Sequence, residues 1–367
     1  MQYSEHIFNE YGVRAQISTY ENEGGIKEYH VMLHVSSQGQ MFPEQYARLC
    51  KAEDEITTLL DNAQPRMKRY FISDAANQAH LMKPETIPTS IIQQAPLDGS
   101  KVALWIYLTD GESNYQHRWD MGMHIEEGNS YYQTKYLLES FEANLAKEGG
   151  EQPCTIADNC IRTWFFVRDV DIQYSGMVNA RKENFAEQGL TEQTHYLSST
   201  GIQGLPLDGH SIIQMDAYSI LDIQKSQQKY LYAKSHLNST YEYGVTFERG
   251  TRVEYGDRSH YFISGTASID NKGNVLHIGD IKQQTIRMWE NVEMLLKEGG
   301  ASLDDIMQII VYLRDVADYS TVSKMFEEKF PNVPHVITLA PVCRPTWLIE
   351  MECIAVNSNH NDEFKAF

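Results

Sequence analysis

The chain has 367 residues, a formal charge of −19, and 42% apolar and 22% charged residues. This is the composition of a soluble globular protein, long enough for two or three domains with sizeable cores. The acidic balance argues against a nucleic-acid partner, because phosphate binding is driven by a basic surface, but a small anionic metabolite needs only a local arginine cluster.

No apolar run is long enough to span a bilayer. Met1-Gln2-Tyr3-Ser4-Glu5-His6 lacks the basic and apolar regions of a signal peptide. A cytoplasmic protein with no membrane partner is therefore expected. The five cysteines, Cys50, Cys154, Cys160, Cys343 and Cys353, match no metal spacing and read as reduced thiols. The 13 histidines form no HxH or HExxH pattern, and the pair His30 and His34 reads as packing or surface. Neither a metal nor a cofactor is expected.

In chain order, residues 29–35 read as a strand. Residues 45–60 read as a helix with Tyr46, Leu49, Ile56 and Leu60 on one side, and 69–73 as a second strand. From residue 131 a clearer unit begins. A helical pattern over 137–145 runs into Lys147-Glu148-Gly149-Gly150. A strand follows through Trp164-Phe165-Phe166-Val167-Arg168-Asp169, then a helix over 174–185 and strands near 196–202 and 212–220. The same order returns later. Ser264-Gly265-Thr266-Ala267-Ser268 lies in a strand, and residues 281–298 carry Ile286, Trp289, Val292, Leu295 and Leu296 at helical spacing. Gly299-Gly300 ends that run as a glycine cap does. Then come a strand at 309–313, a helix at 321–330 and a last strand at 348–356, with Glu350 and Glu352 two apart on one face.

The repeat sets the expected organisation. Lys147-Glu148-Gly149-Gly150 answers Lys297-Glu298-Gly299-Gly300, and Phe166-Val167-Arg168-Asp169 answers Tyr312-Leu313-Arg314-Asp315. Three units follow, at 1–98 (degenerate, half to two-thirds complete), 99–226 and 227–367. Asp208-Gly209 and the polar segment 222–230 are the expected linkers.

For chemistry, Glu350 leads. A carboxylate between Ile349 and Met351 is partly desolvated if that strand is covered, which raises its pKa and makes it a proton donor near neutrality. Alternation by itself favours Glu350 and Glu352 as a solvent-facing pair. Arg249, Arg344 and Arg181 are candidate carboxylate clamps, since a guanidinium makes two parallel charge-assisted hydrogen bonds. Tyr243 leads into the Arg249 segment. Ser264 and Thr266 offer hydroxyls at a strand end, or are simply small residues that let backbones approach.

The last hundred residues resemble one protomer of the YjgF/RidA (endoribonuclease L-PSP) family. The phrases that match are Gly279-Asp280-Ile281 with Gln284-Thr285, Asn291, Gly299-Gly300, Val311-Tyr312-Leu313-Arg314-Asp315 and Ile349-Glu350-Met351-Glu352. That resemblance implies an α+β, chorismate mutase-like unit, a mixed sheet on two helices, with sites where protomers meet. It also implies that tandem copies form a pseudo-trimer, as a monomer or a homo-oligomer. The family's deaminases carry an arginine just after the proline of the penultimate strand; here Pro334-His335 is followed by Val336. Phe262-Ile263-Ser264-Gly265-Thr266-Ala267-Ser268-Ile269 and Val342-Cys343-Arg344-Pro345 resemble the chorismatase branch, over about residues 130–356. This implies chorismate cleavage to pyruvate, with Glu350 as general acid, Glu352 as second choice, and Arg249 and Arg344 holding carboxylates. The alternatives are a non-catalytic binding protein for a small carboxylate, or a diverged imine deaminase or endoribonuclease-type member.

Overall fold

Three stretches of chain each build one β-sheet backed by helices, in a computed structural model that describes all residues except 23, 37–39 and 150–151, and all side chains but that of Tyr243. Gly150 of the expected Gly149-Gly150 stop therefore lies outside the described residues. The first stretch runs β1 (Gln2–Phe8), β2 (Val13–Tyr20), β3 (Glu28–Val35), α1 (Phe42–Leu59), β4 (Gln64–Ile72), the one-turn α2 (Ala75–Gln78), β5 (Thr89–Gln93) and β6 (Val102–Thr109). The second runs β7 (His117–His124), α3 (Ser130–Leu145), the one-turn α4 (Ile156–Asn159), β8 (Cys160–Val167), α5 (Val170–Glu187), β9 (Ser198–Gln203) and β10 (Ile213–Ile220). The third runs β11 (Gln228–Leu231), β12 (Gly250–Glu254), β13 (Arg258–Ala267), α6 (Ile281–Gly299), β14 (Ile306–Leu313), α7 (Tyr319–Lys329), β15 (His335–Leu339) and β16 (Ile349–Ser358).

The strand orders are β1-β2-β3-β6-β4-β5, β7-β10-β8-β9 and β11-β12-β13-β16-β14-β15. The first and third sheets thus have one topology, and the second is that topology without its two leading strands. Each sheet has a single parallel pair, β4–β5, β8–β9 or β14–β15, because only there does a helical crossover return the chain in the same direction.

Three expectations change. The first unit is not a half-copy: its sheet is complete, and what has shrunk is the helix between β4 and β5, now the single turn α2. A division at 98/99 cuts that sheet, because β6 pairs with both β3 and β4. Asp208-Gly209 links β9 to β10 inside the second sheet, and the segment 222–230 runs into β11 of the third, so the connections between sheets fall at 110–116 and 221–227.

Helix α6 shows how sequence becomes geometry. Asp280 caps it, its side chain accepting from Gln283 N–H, and Gly300 ends it at φ 91°, a left-handed conformation that glycine adopts without strain. Ile286, expected on the buried stripe, is 38% exposed; polar Gln284 and Asn291 are fully buried instead. Asn291 Nδ2 donates to the carbonyls of Ala267 and Ile269, both at 3.0 Å. Gln284 receives Leu348 N–H and donates to Thr346 O, both at 2.9 Å. The helix therefore holds the end of β13 and the approach to β16 in place.

One hydrophobic cluster runs through all three sheets and includes Phe71, Trp105, Trp164, Phe166, Tyr218, Phe262 and Tyr312. Each pair of sheets is also tied by a buried ion pair. These are Arg69 Nη2 to Asp216 Oδ2 at 2.8 Å, Arg162 Nη2 to Glu352 Oε2 at 2.9 Å, and Arg258 Nη1 to Glu28 Oε1 at 2.7 Å. Burial would push the Glu28 carboxyl up, but His260 and Arg258 overcome this and hold it well below the usual range. Such pairs add little net stability against an apolar filling; removing one partner is what costs. Among the described residues no helix is long and apolar enough to cross a membrane, and no group of His, Cys, Asp or Glu could hold a metal ion. All five cysteines are free.

Candidate active site

The site lies where the second and third sheets meet, and a β-bulge opens it. Along the β13–β16 pairing, Ile263 faces Cys353 and Thr266 faces Met351, so β13 fits an extra residue into this step. Ser264 and Gly265 occupy the bulge and bond across to β9. Ser264 Oγ accepts from Ser199 N–H at 2.9 Å and donates to Glu248 O at 2.6 Å, while Gly265 N–H donates to Thr200 Oγ1 at 2.9 Å. Thr266 Oγ1 turns back to Ser264 O. Neither Ser264 nor Thr266 lines the cavity. The Ser264 hydroxyl is used in tying β13 to β9 and the Thr266 hydroxyl in bonding back within its own strand, which corrects the expectation that they touch substrate.

The cavity wall includes Glu350, Arg181, Arg249 and Arg344. Four of the eight expected site residues therefore converge. Tyr174, Phe247, Trp347 and Thr200 join them, without having been singled out individually by sequence. The signal for Tyr174 was available: it stands seven residues before Arg181 on α5, two turns apart on one helix face. The side chain of Tyr243 lies outside the described residues.

Each arginine is seated by packing. Arg181, 1% exposed, donates from Nε to Thr246 Oγ1 and from Nη1 to Ser199 Oγ, both at 3.3 Å. Arg249 Nη2 donates to Asn238 Oδ1 at 3.2 Å, with its guanidinium 5.4 Å from the Phe247 ring centre. Arg344 lies 4.9 Å over the Trp347 ring, and Trp347 is itself pinned by Nε1–H to Ser268 O at 3.1 Å.

Glu350 sits on β16 opposite Ala267 and is 6% exposed, so the solvent-facing reading does not hold. Burial first, then the neighbouring Glu352 carboxylate, push its carboxyl up to about 8, against the opposing pull of Arg249 and Arg162. Burial and the Glu352 charge both favour its protonated, neutral form near neutrality. Glu352, two residues on, is 2% exposed and does not face the cavity. It accepts from Arg162 Nη2 at 2.9 Å, Trp164 Nε1 at 2.7 Å and Thr200 Oγ1 at 2.5 Å. That saturated carboxylate has no role as a proton donor; it acts on Glu350 through its charge. Cys343 also lines the cavity, but burial and Glu350 push its thiol up to about 12, so it stays protonated and inert as a nucleophile.

Gly265 leaves room for the acid. A Cβ there would collide with Glu350 Oε1 and lie 3.0 Å from Thr200 Cγ2. A Gly265→Ala variant should therefore keep its fold, since the clash is with a movable side-chain end, yet displace the carboxyl. An unchanged melting temperature together with a change in the titration of the Glu350 carboxyl is the expected pair of measurements.

A family model described as endoribonuclease L-PSP matches residues 254–357. A RutC family protein of Pyrococcus abyssi is 38% identical over 96 residues, 26% of this chain and 76% of that protein. The 3-aminoacrylate deaminase RutC of Acinetobacter baylyi is 30% identical over the same shares. A crystal structure of a chorismatase superposes with a TM-score of 0.65 over 92% of this chain and 99% of that one, at 15% identity. The family model falls on the third sheet and its helices, whereas the structural likeness takes in all three sheets. The chain belongs to the RutC family of the YjgF/RidA (endoribonuclease L-PSP) superfamily, and its tandem units share the fold of a chorismatase.

Proposed function

We propose that the protein is a chorismatase-like enzyme that cleaves the enol ether of chorismate, releasing pyruvate and a cyclohexadiene or hydroxybenzoate carboxylate. The observation that carries this is a neutral, buried Glu350 facing a cavity with three arginines and the aromatic walls Phe247 and Trp347. Glu350 gives its proton to the terminal methylene carbon of the enolpyruvyl group. The resulting oxocarbenium ion is trapped at its cationic carbon by water or by a ring hydroxyl, and the trapping hydroxyl's proton returns to the Glu350 carboxylate. When water is the trap, the C–O bond from the hemiketal carbon to the ring oxygen then breaks. That oxygen takes the proton held by Glu350 while the hemiketal hydroxyl gives its proton back to the carboxylate, and pyruvate leaves as the ketone. A ring-hydroxyl adduct needs a further water to release it. Arg181, Arg249 and Arg344 hold the two substrate carboxylates and the low-dielectric walls strengthen that hold.

The same reading takes the three units, about 1–109, 117–220 and 228–358, as a pseudo-trimer in one chain, working in the cytoplasm without a cofactor. Imine deamination in the manner of the family's arginine is not supported, since Val336 in β15 is a buried apolar residue. Incubating the purified protein with chorismate and assaying pyruvate tests the proposal. Absence of pyruvate would leave a non-catalytic carboxylate-binding protein as the reading that fits the cavity.

A further inference from the structure

Strand register defines three equivalent places in the molecule, and only one is the cavity described above. The strands β4, β8 and β14 end on the pairs Ile72↔Val102, Val167↔Ile213 and Leu313↔Ile349 with their closing strands. One residue further along those closing strands stand Ala103, Gln214 and Glu350. On the parallel partners, Ser90, Thr200 and Val336 occupy one shared position. Between the first and second sheets the place is shut, because Gln214 Nε2 donates to the buried Ser90 Oγ at 3.0 Å. Between the third and first sheets it is open, a cleft at the surface. Its wall includes His335, Val336 and Ile337, in the same register as Ser199, Thr200 and Gly201 of the first cavity.

The chemistry of this second cleft differs. Ala103 stands where the acid would be, so no proton donor answers to Glu350. Arg14 and His34 are cross-strand neighbours on the first sheet, the former 3.4 Å from Glu5 and the latter 3.3 Å from Asp98. Gln16 Oε1 accepts the backbone N–H of His335 at 3.1 Å and lies 3.1 Å from His34 Nε2, which must therefore carry a proton. His335 Nδ1 lies 2.8 Å from Val333 O, which can only accept, so Nε2 is the bare, accepting nitrogen. Burial, reinforced by His34 and Arg14, keeps that ring neutral, at about 4. The cleft thus offers a guanidinium and the His34 ring, the latter engaged with Asp98 and Gln16, on the strand side, and a carboxylate, Glu327, with a lone-pair nitrogen on the α7–β15 side. With Glu5, Asp98 and Glu327 all on its wall, a plain anion meets net repulsion, whereas a ligand bearing both charges is matched at each end.

We propose that this cleft is a non-catalytic binding site for a small zwitterion, an α-amino acid. Arg14 takes its carboxylate, and Glu327 with His335 Nε2 takes its ammonium. The inference rests on strand register and lining chemistry and does not depend on the chorismate reading. Calorimetric titration of the whole protein with each of the twenty standard L-amino acids as probes tests it. At least one should bind saturably, Arg14→Ala should weaken that binding by about tenfold or more, and Ser323→Trp, which fills the cleft from α7, should abolish it. Glu350→Gln should bind as wild type does, which separates this site from the first. No binding by any of the twenty, or binding indifferent to Arg14→Ala, overturns the proposal. Because Arg14 is half-exposed, that variant remains a valid test should Ser323→Trp fail to fold.

Discussion

Glu350→Gln is expected to lower pyruvate release from chorismate by about 10²–10⁴-fold, the usual worth of a positioned general acid. Glutamine has nearly the same shape and fits the space beside Gly265, so unfolding by urea should shift little and the loss should appear in turnover. The wild-type pH profile gives a second check. With its carboxyl pushed up to about 8, Glu350 carries its proton at pH 6 and 7 and loses it above. Activity should be level through neutrality and fall about tenfold per pH unit on the alkaline side, as the acid form is depleted. A profile falling instead through pH 4–5 would mean an ordinary carboxylate, and the acid assignment would be lost.

The second large effect belongs to Glu352. Glu352→Ala withdraws the acceptor from Arg162, Trp164 and Thr200 at once and leaves Arg162 buried beside Arg69 with no counter-charge at that point. Breaking a buried pair in this way costs about 3–5 kcal/mol, readable as a drop in the urea midpoint at constant slope. Glu352→Gln is the more informative partner. It keeps an acceptor oxygen but removes the charge that helps hold Glu350 up, so the alkaline limb of the rate profile should move to lower pH. An unmoved limb would show that burial alone sets the Glu350 proton.

The two glutamates also show where sequence reasoning reached its limit. Their spacing put them on one face of β16, and that was right. Alternation carries no information on what covers that face, and the cover comes from residues about 150–190 positions away, Thr200, Trp164 and Arg162. One face therefore divides into an acid facing a cavity and a carboxylate locked into an ion pair. Ser264 and Thr266 failed as ligands for a related reason: a bulge adds one residue to a strand and exchanges which side chains point inward, and no local pattern announced it. Arg181, Arg249 and Arg344 were each visible as possible clamps, but their meeting depends on α5 of one unit approaching two loops of another.

Hydrophobic periodicity, glycine caps and the recurrence of helix-ending and strand-ending phrases by themselves determined the tandem plan, while the α+β unit and the choice of Glu350 came from the family resemblance of those phrases. Each of these signals is a short stretch of chain that can be read without knowing what it packs against, even where the same phrase returns far along the sequence. Tertiary structure alone decided that the first unit keeps a complete sheet, that the middle one lacks its leading strands, and that equivalent places hold glutamate, glutamine and alanine. Those outcomes depend on pairing between strands distant in sequence, where register and desolvation are set by neighbours that the local pattern does not name.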